Sequence, residues 1–127
     1  MFFRKLVSNL QITTGGSGED VKYDLDPHPG GHTAKVAQYQ VVVVQVSSTN
    51  AELTLDLDHG PDGRNFVAHS TPIATTQISG SSAALLSGDA DTTKILGEWL
   101  RPTLTAGSTG ASQEWIMVDV YEMLKPF

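Results

Sequence analysis

Ala51-Glu52-Leu53-Thr54-Leu55-Asp56-Leu57-Asp58 places leucine on odd positions and a polar residue on most even ones. That period of two puts one face of a strand in a core and the other in water. His59-Gly60-Pro61-Asp62-Gly63 follows, and then the run Arg64-Asn65-Phe66-Val67-Ala68-His69. Asp62-Gly63 supplies the positive-φ chemistry of a tight turn, so residues 51–58 and 65–70 are expected to pair as a hairpin. Upstream, residues 34–48 form a longer strand, bent along its length, whose centre Val41-Val42-Val43-Val44 is apolar on both faces. Such a strand lies between two layers or under a subunit contact.

Working outward, residues 6–13 read as a first strand that stops at Gly15-Gly16-Ser17-Gly18, and residues 21–26 as a short second one with Val21, Tyr23 and Leu25 in phase. Residues 27–32 carry two prolines and two glycines and are expected to form a loop. Residues 71–94 read as a long excursion holding one or two short strands. Residues 96–106 form a strand that Pro102 demotes to an edge or bulged position. In the final strand, residues 114–123, Ile116, Val118 and Val120 make one apolar face. Trp115, Met117 and Tyr121 make the other, broken by Asp119, and it serves either as an association surface or as a bed for the 71–94 excursion. Serine, threonine and glycine abound while lysine and glutamate are scarce, so solvent-facing helices have few residues to build them. The expected fold is all-β: one domain, 1–127, an antiparallel two-sheet sandwich of about eight strands, with jelly-roll connectivity as the working choice.

With 127 residues the chain is long enough for one ordinary core. It has no cysteine, which removes disulfides, thiolate metal sites and a cysteine nucleophile. The formal charge of −6, from 14 acidic and 8 basic residues, argues against nucleic acid as a partner. Met1-Phe2-Phe3-Arg4-Lys5-Leu6-Val7 is apolar, but its charges follow the phenylalanines and no long apolar run succeeds them. It reads as neither a signal peptide nor a membrane span, and no membrane partner is expected. Residues 1–5 are expected to be a terminal arm that buries Phe2 and Phe3 against the domain or a neighbouring subunit.

Asp56, Asp58 and Asp62 fall within seven residues, and hard cations need several such oxygens. Asp56 and Asp58 would, however, sit about 7 Å apart on a solvated strand face, and the spacing lacks the closing glutamate of an EF-hand. No metal site is expected. His28 and His32 flank Pro29-Gly30-Gly31, and His59 and His69 bracket the hairpin, too few ligands for a closed zinc site. No serine lies in a Gly-x-Ser-x-Gly elbow, and no cofactor motif is present, so the chain reads as a non-enzyme without cofactor. Trp99, Trp115 and Tyr121 would stack on sugars if they shared one solvent-facing sheet. With Leu100 and Leu104 inward, Trp99 and Arg101 point outward, a composition that equally suits a protein interface.

The valine-rich strand, then Leu-Thr-Leu-Asp-Leu-Asp, then Pro-Asp-Gly-Arg-Asn-Phe, and later Glu-Trp-Leu-Arg-Pro-Thr-Leu-Thr-Ala-Gly before a closing strand, resemble small β-sandwich virion proteins of tailed bacteriophages. The resemblance covers about residues 40–70 and 96–121. It implies a head decoration, or cement, protein: a homo-oligomer, typically a trimer, seated on the major capsid protein at the capsid surface and assembled in the host cytoplasm. A tail or baseplate component and a carbohydrate-binding adhesion module are the alternatives. The interface residues expected are Phe2, Phe3, Arg4, Trp99, Arg101, Trp115, Met117 and Tyr121.

Overall fold

The computed structural model describes residues 2–29, 36–68, 74–79, 85–89 and 99–124, with side-chain surroundings for 4–27, 39–67 and 99–122. Among the described residues the regular elements are all strands: β1 (Phe2–Thr13), β2 (Val21–Asp24), β3 (His28–Pro29), β4 (Val36–Val46), β5 (Ala51–Gly60), β6 (Val67–Ala68), β7 (Ala74–Ser79), β8 (Leu85–Asp89), β9 (Trp99–Ser108) and β10 (Trp115–Leu124). They make two antiparallel sheets. The first runs β1-β10-β4-β8; the second runs β2-β9-β5-β6, with β3 also on β9 and β7 also on β5. The all-β two-sheet sandwich expected from the strand periodicity is the observed fold.

The leucine alternation of β5 sets the inner face of the second sheet. Leu53, Leu55 and Leu57 are at most 1% exposed, while Thr54 and Asp56 between them are half-buried. β5 pairs with β9 from Ala51↔Ser108 through Gly60↔Trp99, which brings Leu100 and Leu104 inward beside the leucines. Across the gap, the first sheet contributes Val41 and Val43 from β4 and Ile116, Val118 and Val120 from β10. Apolar inner residues from both sheets give the two-layer core its thickness.

Pro102 stands in the interior of a central strand, contrary to the edge position expected of it. In an extended strand a residue's N–H and C=O point to the same side. The Pro102 carbonyl accepts from the Leu25 N–H at 3.0 Å, so its missing donor also faces that side. There β2 has ended at Asp24↔Thr103 and β3 has not begun until His28↔Leu100. The proline thus costs β9 no ladder bond to β5. The same pairing corrects the expected loop over 27–32: His28 and Pro29 form a short rung on β9, and 30–32 lie outside the described residues.

Residues 2–5, expected as a terminal arm, pair with β10 as part of β1. Phe2↔Leu124, Phe3↔Met123, Arg4↔Glu122 and Lys5↔Tyr121 are the first rungs of β1 on β10. The strand is irregular beyond them, with register shifts between Lys5 and Val7 and between Val7 and Leu10, where Asn9 takes φ 53. A third shift falls between Gln45 and Val43 on β4, leaving Val44 without a rung on β10. The 71–94 excursion does contain two short strands, β7 and β8, one on each sheet.

The expected hairpin closes as β5 and β6, with Asp58↔Ala68 and His59↔Val67. One Asp62 carboxylate oxygen accepts the N–H groups of Arg64 and Asn65, each at 2.9 Å. Gly63 holds φ 78, which a glycine adopts without strain. A Cβ at Gly60 would stand 1.9 Å from the Asn65 carbonyl oxygen, so the turn is pressed onto β5 where no side chain fits.

If Leu55 is a core leucine, Leu55→Ala lowers unfolding free energy by about 2–5 kcal/mol, whereas Thr54→Ala next to it costs about 0.5 kcal/mol or less. Denaturant titration of both variants checks this; equal losses would mean the strand's register is wrong.

Candidate functional site

The expected interface residues separate onto two sheets. Trp99 and Arg101 lie on β9 in the second sheet, while Trp115, Met117 and Tyr121 lie on β10 in the first. They do not share one sheet face, which removes the single aromatic platform that sugar stacking would need. Trp115 and Tyr121 are themselves six residues apart, about 20 Å by strand rise.

On the second sheet the outward residues are already engaged by the chain's own turn. Arg101 donates from Nη2 to Asp58 Oδ2 at 2.8 Å and lies 3.8 Å from Asp24. Its guanidinium carbon is 4.3 Å from the centroid of the Phe66 ring, a cation–π contact supplied by the returning turn. Gly63 rests on Trp99, where an added Cβ would meet the indole at 3.1 Å. Lys22 stands 3.7 Å from Asp58 and 4.0 Å from Asp24. Burial and the neighbouring Asp58 raise the Asp56 carboxyl above its ordinary range, with Lys22 opposing them.

These contacts also say what the three aspartates do. Asp58 is almost wholly buried and paired with Arg101 and Lys22. Asp62 serves its own turn, and those hydrogen bonds hold its carboxyl below the usual range. Among the described residues no group of three histidines or carboxylates could hold a metal ion. His59 is buried within β5, His28 is described only as backbone on β9, and His32 and His69 lie outside the described residues.

On the first sheet the outer face is different in kind. Trp115, Met117 and Tyr121 are half-buried, Val42 beside them is half-buried, and Val44 at the bulge is 40% exposed. Exposed Gln11 and Gln45 flank Met117, one on each neighbouring strand. Among the described side chains the charges here form one local pair: Lys5 Nζ is 3.7 Å from Asp119 Oδ2 and 5.5 Å from the Tyr121 ring centroid. Asp119 also accepts the Asn9 N–H at 2.8 Å, tying the irregular part of β1 to β10.

A third cluster was not visible as a site in the sequence. Glu122 continues the inward phase of Ile116, Val118 and Val120 and is fully buried. Arg4 reaches Glu122 with its guanidinium at 2.5 Å while remaining half-exposed. Tyr39 is the Glu122 partner across β4 and hydrogen-bonds its carboxylate. Burial first, then the Glu122 charge, pushes the Tyr39 phenol well above its ordinary value. Arg4 also borders a cleft of about 260 Å³ at the open edge between β1 and β2, whose other walls include Leu6, Val7, Tyr23 and Asp26. The side chains of Phe2 and Phe3 lie outside those described.

No family model matches the sequence, and no curated protein matches it. Solved structures do match in fold. The capsid protein VP2 of infectious bursal disease virus, in a subviral particle, superposes with TM-score 0.61 at 11% identity, over 95% of this chain and 31% of that one. The PBSX exported protein XepA gives 0.52 at 7% identity, over 99% and 37%. A Clostridium thermocellum xylanase 10B structure of CBM22-1 and GH10 modules with xylohexaose gives 0.52 at 12%, over 97% and 29%. The chain thus spans about a third of the length of these structures, and at these identities the likeness is one of fold. Viral capsid sandwiches stand among its structural neighbours.

Two results are expected of these clusters. Arg4→Met should strip the buried Glu122 of its cation and cost about 2 kcal/mol, below the full loss for a buried pair because Arg4 is half in water. Adding Glu122→Leu should restore much of that in denaturant melts; a neutral Arg4→Met would contradict the pairing. Because the folded state holds the Asp56 proton more tightly than an ordinary carboxyl does, stability falls as pH rises from the unfolded carboxyl's range through the raised value. Asp56→Asn should therefore melt higher than the parent at pH 7, with the gap closing in acid below the unfolded carboxyl's range. A lower melting temperature at pH 7 would contradict it.

Proposed function

We propose that this chain is a non-enzymatic virion structural protein, a capsid decoration protein that binds the assembled head as a homo-oligomer and slows its rupture. The observation that carries the reading is the outer face of the first sheet, an apolar surface on a rigid strand hydrogen-bonded along both edges. It accompanies a core without a reactive constellation among the described side chains. The strand path β1-β10-β4-β8, and β2-β9-β5 with β7 also on β5, support a jelly-roll reading, an architecture that viral capsid domains use. Likeness in fold to a protein solved in subviral particles agrees with this, as does the resemblance of the hairpin and the Leu-Arg strand to phage virion proteins.

In this reading the partner is the major capsid protein, the location is the capsid surface, and assembly takes place in the host cytoplasm. The mechanism is linkage: a protein that binds only the assembled shell shifts the equilibrium toward it by RT ln(1 + [L]/Kd). Oligomerisation, trimeric where the phage resemblance is followed, makes each further capsid contact intramolecular and multiplies residence time. The net charge of −6 makes basic capsid surfaces the favoured seat.

Expanded shells assembled from the major capsid protein encoded with this chain provide the test. Added protein should co-sediment saturably and raise the temperature at which the shells rupture. Failure to co-sediment, together with retention on a glycan array, would replace this reading by the sugar-binding one.

A further inference from the structure

The two outer faces differ in a way that selects one of them for self-association. On the second sheet, the Asp24, Asp58, Lys22 and Arg101 network is capped by the chain's own turn, with Phe66 on Arg101 and Gly63 on Trp99. Trp99 and Phe66 are half-buried in these contacts, and the exposed Tyr23 (41%) and Val67 (63%) stand apart, at opposite edges of that sheet. The first sheet presents Val42, Val44, Met117 and Tyr121 together, with Val44 40% exposed in the protomer.

Charge decides the occupant. Copies of a chain carrying −6 repel each other over most of their surface. Among the described side chains the outer face of the first sheet escapes this, because Asp119 is offset by Lys5 at 3.7 Å and the polar residues beside Met117 are the uncharged Gln11 and Gln45. A two-fold contact sets each residue against the same patch of its partner, so a patch must complement itself. Adjacent plus and minus charges can exchange partners across such an axis, and glutamine amides both donate and accept. Edge-to-edge pairing is the competing route, and β1 is protected against it by its two register shifts.

We infer that a second copy of this chain covers the outer face of the first sheet, in a two-fold pair centred near Val44, Met117 and the Lys5–Asp119 pair. This rests on the reading that the chain assembles, and adds which surface does so and with what symmetry.

Sedimentation equilibrium on the purified chain tests it. The expected mass is that of a dimer. Val44→Lys and Met117→Lys should each weaken dimerisation at least about tenfold, by burying a cation against its own copy, while Thr54→Lys on the second sheet leaves it unchanged. Each variant's melting curve, read at a concentration where the parent is also dissociated, separates lost association from lost folding. A monomer at all concentrations, a trimer, or equal effects of Val44→Lys and Thr54→Lys would overturn the inference. A monomer that still binds shells would defeat the pair and leave the decoration reading standing; a dimer that ignores shells would do the reverse.

Discussion

β10 is hydrogen-bonded on both sides, to β1 and to β4, and both of its faces carry large apolar side chains. The inner face, Ile116, Val118 and Val120, meets the leucines of β5 and β9 and closes the core. Strand pairing fixes the outer face just as rigidly, because successive side chains must alternate. Trp115, Met117 and Tyr121 are therefore presented outward as a consequence of burying their neighbours. A slip of one residue would send Asp119 into the core and the valines into water, so register here is strongly specified.

The same alternation explains the buried Glu122. It occupies the next inward position of β10, and the fold meets the cost of an interior carboxylate with Arg4 from β1 and Tyr39 from β4. Replacing such a group by a leucine would be simpler chemically; retaining it ties three strands together at one end of the first sheet. The first rungs of β1 are thus held by an ion pair as well as by the ladder, which is why residues 2–5 belong to the sheet.

Much of this was legible in the sequence, and the failures have physical causes. The leucines of β5 and the two faces of β10 could be read directly because alternation on a half-buried strand is a local property. Pro102 misled because its effect depends on which side its missing donor faces, and the gap between β2 and β3 that accommodates it lies far away in sequence. The pairing of His28 and Pro29 on β9 was hidden for the same reason. Trp99 and Arg101 do point outward as their parity requires, yet the turn that covers them is set by Gly60 and Gly63, whose packing is tertiary. Glu122 carried a signal, its inward phase, but its partners Arg4 and Tyr39 lie more than eighty positions away in the chain.

The proposed assembly role needs a stiff protomer whose association surface is determined by the same contacts that fold it. Native-state hydrogen exchange tests that claim most directly. The amides of Ile116, Val118 and Val120 should be among the last to exchange, opening only with global unfolding, together with those of Leu55 and Leu104. If β10 instead exchanges as early as the turn around Gly63, the strand is not the centre of the fold and the account fails.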